Sequence, residues 1–160
     1  MPKPPPTDIH GEVKAIYAEL DRRPFERHCT ALTTCCRFKL TGETPYLTKA
    51  EALVAARAWK ATGRGRLPDS GKTDGACPML EHATGRCLIY EHRPFGCRTH
   101  FCQAAGGPYK RREVVDLIHK LEDLSRALGE TEAMPLRPAL EAALKDHSPR
   151  GVPSQPYRRY

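Results

Sequence analysis

Seven cysteines lie between residues 29 and 102, spaced Cys29-x5-Cys35-Cys36, then forty residues, then Cys77-x9-Cys87-x9-Cys97-x4-Cys102. The first 28 and the last 58 residues have none. Soft thiolates gathered in one stretch of chain are the donor set of Zn²⁺ or of an iron–sulfur cluster. The odd count excludes a fully paired disulfide framework within one chain. Cysteine makes up about 4% of the residues, well below the roughly 8–10% of a disulfide scaffold. His28, His82, His92 and His100 lie in or beside this stretch. His100, between Cys97 and Cys102, is the imidazole best placed to complete a site, and the others are expected to be solvated or hydrogen-bonded. Arg93 and Arg98 flank Cys97, where they either donate hydrogen bonds to bound sulfurs or pair with acids such as Glu91.

The elements that would hold these side chains are mainly helical. Ile9, Val13, Ile16, Tyr17 and Leu20 recur at helical intervals before Pro24, which predicts a helix near 8–22 whose apolar face covers the cysteine region. Thr48-Lys49-Ala50-Glu51 has the form of a capping box and opens an Ala-rich helix near 49–62, which stops at Gly63. That helix bridges the two cysteine groups. Val114, Leu117, Ile118, Leu121, Leu124 and Leu128 form the clearest amphipathic stripe, a helix near 110–128 stopped by Gly129. A last helix near 136–146 carries Leu136, Leu140 and Leu144, with Pro138 in its first turn. Residues 77–109 show neither period and contain several glycines and prolines, so they are expected to be irregular chain held by something other than a ladder.

The expected organisation is a Pro-rich arm over 1–7, one domain over 8–147 and a Pro/Arg-rich tail over 148–160. The fold class is a small helical domain around an irregular, cysteine-rich, metal-binding core. No apolar run approaches the roughly 18 residues of a membrane span, and the first residues lack the form of an export signal. A cytoplasmic protein with no membrane partner is expected. The 26 Lys and Arg exceed the 19 Asp and Glu by seven, and residues 29–109 hold eleven bases against six acids. A zinc-stabilised nucleic-acid-binding module, suggested by a pI of about 9.2 and by Lys/Arg interleaved with aromatics at the carboxyl terminus, is an alternative less favoured than a charge excess that is solvated or balances bound thiolates. A redox iron–sulfur protein is a second alternative. No Gly-x-Ser-x-Gly, His-Glu-x-x-His or P-loop pattern occurs, and nothing specifies a reaction, a catalytic residue or a protein partner.

Cys77-Pro78-Met79-Leu80, the run Gly85-Arg86-Cys87-Leu88-Ile89-Tyr90-Glu91-His92-Arg93-Pro94-Phe95-Gly96-Cys97-Arg98, and Cys102 resemble the YkgJ-like cysteine-cluster family, the CxxCxxCC proteins described as zinc- or iron-chelating domains. The resemblance covers about residues 29–105. It implies a small, mainly helical domain around a cysteine-bound metal, similar to a region of the flagellin lysine methylases. The first motif matches at Cys29, Cys35 and Cys36 but has Leu32 where the second cysteine would stand. Eight thiols fill two four-ligand sites, whereas seven fill only one unless His100, another side chain or water contributes. One complete site drawn from Cys29, Cys35, Cys36, Cys77, Cys87, Cys97 and Cys102 is the expectation. Methylase activity does not carry over, since no glycine-rich dinucleotide fingerprint is present.

Overall fold

The computed structural model describes residues 7–23, 44–69, 71, 73, 75–81, 83–99 and 109–146. Cys29, Cys35, Cys36, Cys102, His28, His82, His100 and the tail from 148 lie outside the described residues, as does nearly all of the amino-terminal arm. Helix α1 spans Ile9–Asp21. Its first turn is closed by Asp8, whose carboxylate accepts from the Gly11 N–H at 2.9 Å. A Cβ at Gly11 would stand 2.2 Å from Asp8 Oδ2, so the cap uses the glycine's missing side chain.

Helix α2, Lys49–Ala61, begins with the capping box read from the sequence: Thr48 Oγ1 accepts from the Glu51 N–H, and Glu51 accepts from the Thr48 N–H at 2.9 Å. It ends where Gly63 enters the left-handed region at φ +87°. Strand β1, Tyr46–Leu47, pairs antiparallel with β4, Met134–Pro135, and leads into α2. Helix α4, Arg111–Ala127, starts with Glu113 reaching back to the Lys110 N–H at 2.7 Å. It stops in a Schellman turn, with Gly129 at φ +86° and the Glu130 N–H donating to the Ser125 carbonyl. Helix α5 spans Leu136–Lys145 and holds Pro138 in its first turn. Between α2 and α4 the chain forms a hairpin of β2, Leu80–Glu81, with β3, Arg86–Cys87, then a 3₁₀ turn at Tyr90–His92 and the short helix α3, Phe95–Thr99.

Helix α2 is buried on two sides, and its alanines explain how. Ala52, Ala55, Ala56 and Trp59 pack against Leu136, Ala139, Leu140 and Ala143 of α5 and against Met79, Leu80 and Ile89. Ala50 and Val54 pack against Ile9, Val13 and Ile16 of α1, Phe95 of α3, and Val114, Leu117 and Leu121 of α4. Small side chains let neighbouring elements approach on both sides without overpacking. Ser125 Oγ, buried on α4, accepts from the Ala50 N–H at 3.1 Å and fixes the α2 amino end against α4.

The packing bears on three of these expectations. The apolar face of α1 packs against α2 and α4 and also meets α3, the helix that carries Cys97, through Phe95 and Arg98. Among the described residues the core is mainly aliphatic, with Cys77 buried in it and Cys87 and Cys97 half-buried. The segment expected to be wholly irregular also contributes Ala76, Cys77, Met79, Leu80 and Ile89 to that core. The protein is mainly helical, and none of its described helices is long and apolar enough to cross a membrane.

Candidate metal centre

Hairpin register brings two of the thiols into one neighbourhood. Cys87 pairs across from Leu80, whose N–H donates to the Cys77 carbonyl at 3.1 Å. Cys77 is buried in the apolar cluster that Cys87 packs against. The Leu88 N–H donates to the Met79 carbonyl at 2.9 Å, which extends the pairing by one bond. From there the 3₁₀ turn redirects the chain, and Pro94 accepts from the N–H groups of Cys97 and Arg98 as α3 begins.

Cys97 lies on α3, whose Phe95 belongs to the cluster formed by α1, α2 and α4. Helix α3 is anchored there by Phe95, buried among Ile16, Tyr17 and Val54 residues of that cluster. The Phe95 N–H donates to Glu51 Oε1 at 2.8 Å. Glu51 is only 3% exposed and so does two things: one oxygen completes the α2 capping box and the other holds the first turn of the Cys97 helix. Burial raises its pKa above the ordinary carboxylate value, and the bonds from Thr48 and Phe95 oppose the rise.

Arg98 is buried under the same helix. Its Nε donates to the Arg93 carbonyl at 2.8 Å, and another guanidinium nitrogen donates to the Glu91 carbonyl. It pairs with Asp21 at 3.8 Å and lies over the Tyr17 ring, 4.2 Å from its centroid. Of the two roles expected of it, Arg98 takes the pairing role in altered form, binding the main chain of Glu91 and the carboxylate of Asp21. Arg93 lies over the Tyr90 ring at 3.8 Å and donates to the Tyr90 carbonyl. The two arginines therefore pin the 90–98 turn onto itself and onto α1.

Tyr17 Oη is buried and makes no hydrogen bond among the described residues. Burial, then the Glu51 charge, push the Tyr17 pKa well up; Arg98 opposes this and Cys97 adds to it. An orphaned donor close enough to feel Cys97 is what a metal-bound sulfur would use, since a ligated thiolate accepts hydrogen bonds.

The donor chemistry suits zinc or iron, but the described donors do not complete a site. No three His, Cys, Asp or Glu side chains converge among the described residues. A four-ligand centre built on Cys77, Cys87 or Cys97 therefore draws further ligands from outside them, where Cys29, Cys35, Cys36 and Cys102 lie. His92 lines a cleft with His10. Tyr17 and Glu51 were the residues that sequence reasoning passed over here. Both fell within correctly read helical patterns, and nothing local marks that an apolar-stripe tyrosine or a capping glutamate also serves a helix 44 or more residues later.

No curated protein and no solved structure matches the chain. A family model described as "Putative zinc- or iron-chelating domain" matches residues 28–120, more than half of the chain and all seven cysteines. By that match the chain belongs to the CxxCxxCC family.

Proposed function

We propose that the protein binds one zinc ion or iron–sulfur centre through four of its cysteines, and that the bound centre holds the segment around residues 77–102 against the helical scaffold. Cys77, Cys87, Cys97 and Cys102 form the denser group, and Cys35 or Cys36 is the partner expected from the first. Bound metal supplies a crosslink: it joins thiolates distant in sequence and stabilises whatever chain carries them.

The observation that carries this reading is the brevity of the elements under the thiols. Strands β2 and β3 have two residues each and α3 has five. A lone two-stranded hairpin is marginal in water, and isolated helices below about 12–15 residues do not persist. Cys87 and Cys97 ride on the elements least able to stand alone. Family membership points to the same chemistry.

Elemental analysis of anaerobically purified protein tests the proposal. About one equivalent of zinc in colourless protein is the result expected for a zinc site. Iron with inorganic sulfide in coloured protein is expected for a cluster. Less than about a tenth of an equivalent of both metals together, in protein that stays folded, overturns it.

A further inference from the structure

A cleft of about 200 Å³, with no described cysteine among its lining residues, lies between α1, α2 and the 3₁₀ turn. His10 and Lys14 enter it from α1, Arg57 from α2 and His92 from the turn, with Val54 and Ile89 on its apolar wall. No carboxylate is among its described lining residues. Neither Lys14 nor Arg57 has an ion-pair partner among the described residues. Two cations therefore face one small, partly apolar space in which no described carboxylate pairs with them.

Two histidines in a cleft would ordinarily suggest a metal, but the fixed charges argue the reverse. A divalent cation would sit beside Lys14 and Arg57, whose repulsion is strongest in a site walled by apolar side chains. We infer that this cleft binds a small oxyanion, a phosphate or carboxylate group, held by Arg57 and Lys14 with His10 and His92 as neutral hydrogen-bond donors. The space is below the roughly 300–1,000 Å³ of sites for drug-sized ligands, so the occupant is an ion or one end of a larger molecule. Arg57 offers a planar fork that matches two oxygens, and Lys14 offers a point charge. A neutral imidazole keeps one N–H to donate.

The surrounding charges agree with this placement. His10 is pulled down to about 4 by burial first, then by Arg57, with Lys14 and His92 adding and Asp8 opposing. His92 is lowered by burial, then by Lys14, Arg98 and Arg57, with Glu91 opposing. After burial, most of the charges acting on each imidazole are cations, whose field an anion would oppose.

The test is histidine-ring NMR of the metal-loaded protein near pH 7, titrated with inorganic phosphate while sodium chloride holds the ionic strength constant. Saturable shifts of His10 and His92 with half-saturation at about 1 mM or below are expected. The His10 titration should move upward from about 4 in the presence of phosphate. Arg57→Gln should weaken binding by about tenfold or more, and Arg112→Gln, an exposed charge of α4 outside the cleft, should leave it unchanged. If Arg57→Gln does not fold, Lys14→Gln at its exposed position replaces it, with the same expected direction. Titrations with methyl phosphate and with acetate assign the site to phosphates or to carboxylates. Absence of saturable shifts with all three anions, or equal affinity in wild type and the cleft variant, overturns the inference.

Discussion

The four long helices and the segment from 75 to 99 are stabilised in different ways. Helices α1, α2, α4 and α5 run 13, 13, 17 and 10 residues, and the first three are closed by groups within a few positions of their own ends: Asp8, Thr48, Glu51, Gly63, Glu113 and Gly129. The thiol-bearing segment closes partly on itself and depends besides on groups far away in the chain. Phe95 relies on Glu51, 44 residues earlier, and Arg98 on Tyr17 and Asp21 of α1. A region assembled from remote contacts loses them together, so it is where a metal crosslink adds most and where losing one matters most.

The largest expected effect comes from the crosslink itself. Cys87→Ser should release the metal and lower Tm by about 10 °C, taking about 2–4 °C per kcal/mol for a chain of this size and a loss of several kcal/mol. Metal analysis and a thermal scan check it. Hydrogen exchange should show protection lost first over 77–99, while α1, α2 and α4 keep most of theirs. Unchanged metal content and Tm would show that Cys87 is not a ligand and that the two regions do not differ in this way.

Next is the one side chain shared by both regions. Glu51→Ala removes the acceptor of the Thr48 and Phe95 N–H groups and leaves a buried gap, at a cost of about 2–4 kcal/mol. Urea unfolding measures this. Glu51→Gln should fall between the two: its single carbonyl oxygen can serve one of those N–H groups, while its NH₂ faces the other. A Glu51→Ala cost below about 1 kcal/mol, the value of a surface cap alone, would separate the Cys97 helix from the scaffold energetically.

This contrast also explains what the sequence made legible. Helix boundaries near 8–22, 49–62, 110–128 and 136–146 match the observed elements to within a residue or two, because caps, stripes and stop glycines act over one or two turns. The full set of partners of α1, which includes α2 and α4 as well as α3, was not legible because a stripe shows which face is buried and not what buries it. The hairpin and α3 were missed because Leu80–Glu81, Arg86–Cys87 and Phe95–Thr99 are too short to show a period. Cysteine spacing pointed to metal chemistry from residue type alone. The roles of Tyr17, Glu51 and Arg98 around Cys97 come from the packing of α1, α2 and α3, which no window of sequence contains.

A smaller effect is expected on the locally closed side. Gly129→Ala places a Cβ at φ +86° with open space around it, so the cost is the backbone conformation alone, about 1–2 kcal/mol. Chemical denaturation measures it, and metal content should not change. Metal loss in this variant would mean that the α4 end is coupled to the thiol segment after all.

The smallest effect lies where the two regions meet, at His10 of α1 and His92 of the 3₁₀ turn. The folded-state pKa of His10, about 4, is below its ordinary 6.5, so between those values the unfolded chain binds the proton and the folded chain does not. Stability contributed by neutral His10 is fully present above about pH 6.5 and is lost as pH falls toward 4. After allowance for solvent screening the loss is on the order of 1 kcal/mol. His92, also lowered, adds in the same direction. Denaturation midpoints at pH 7 and pH 4.5 should differ more in the wild type than in His10→Gln, which has no proton to gain. Protonation puts positive charge beside Lys14 and Arg57, so hydrogen exchange in acid should rise over residues 88–92 before it rises in the middle of α2. Equal pH dependence in wild type and His10→Gln would move the acid sensitivity to other groups and leave the contact between α1 and the turn without a part in it.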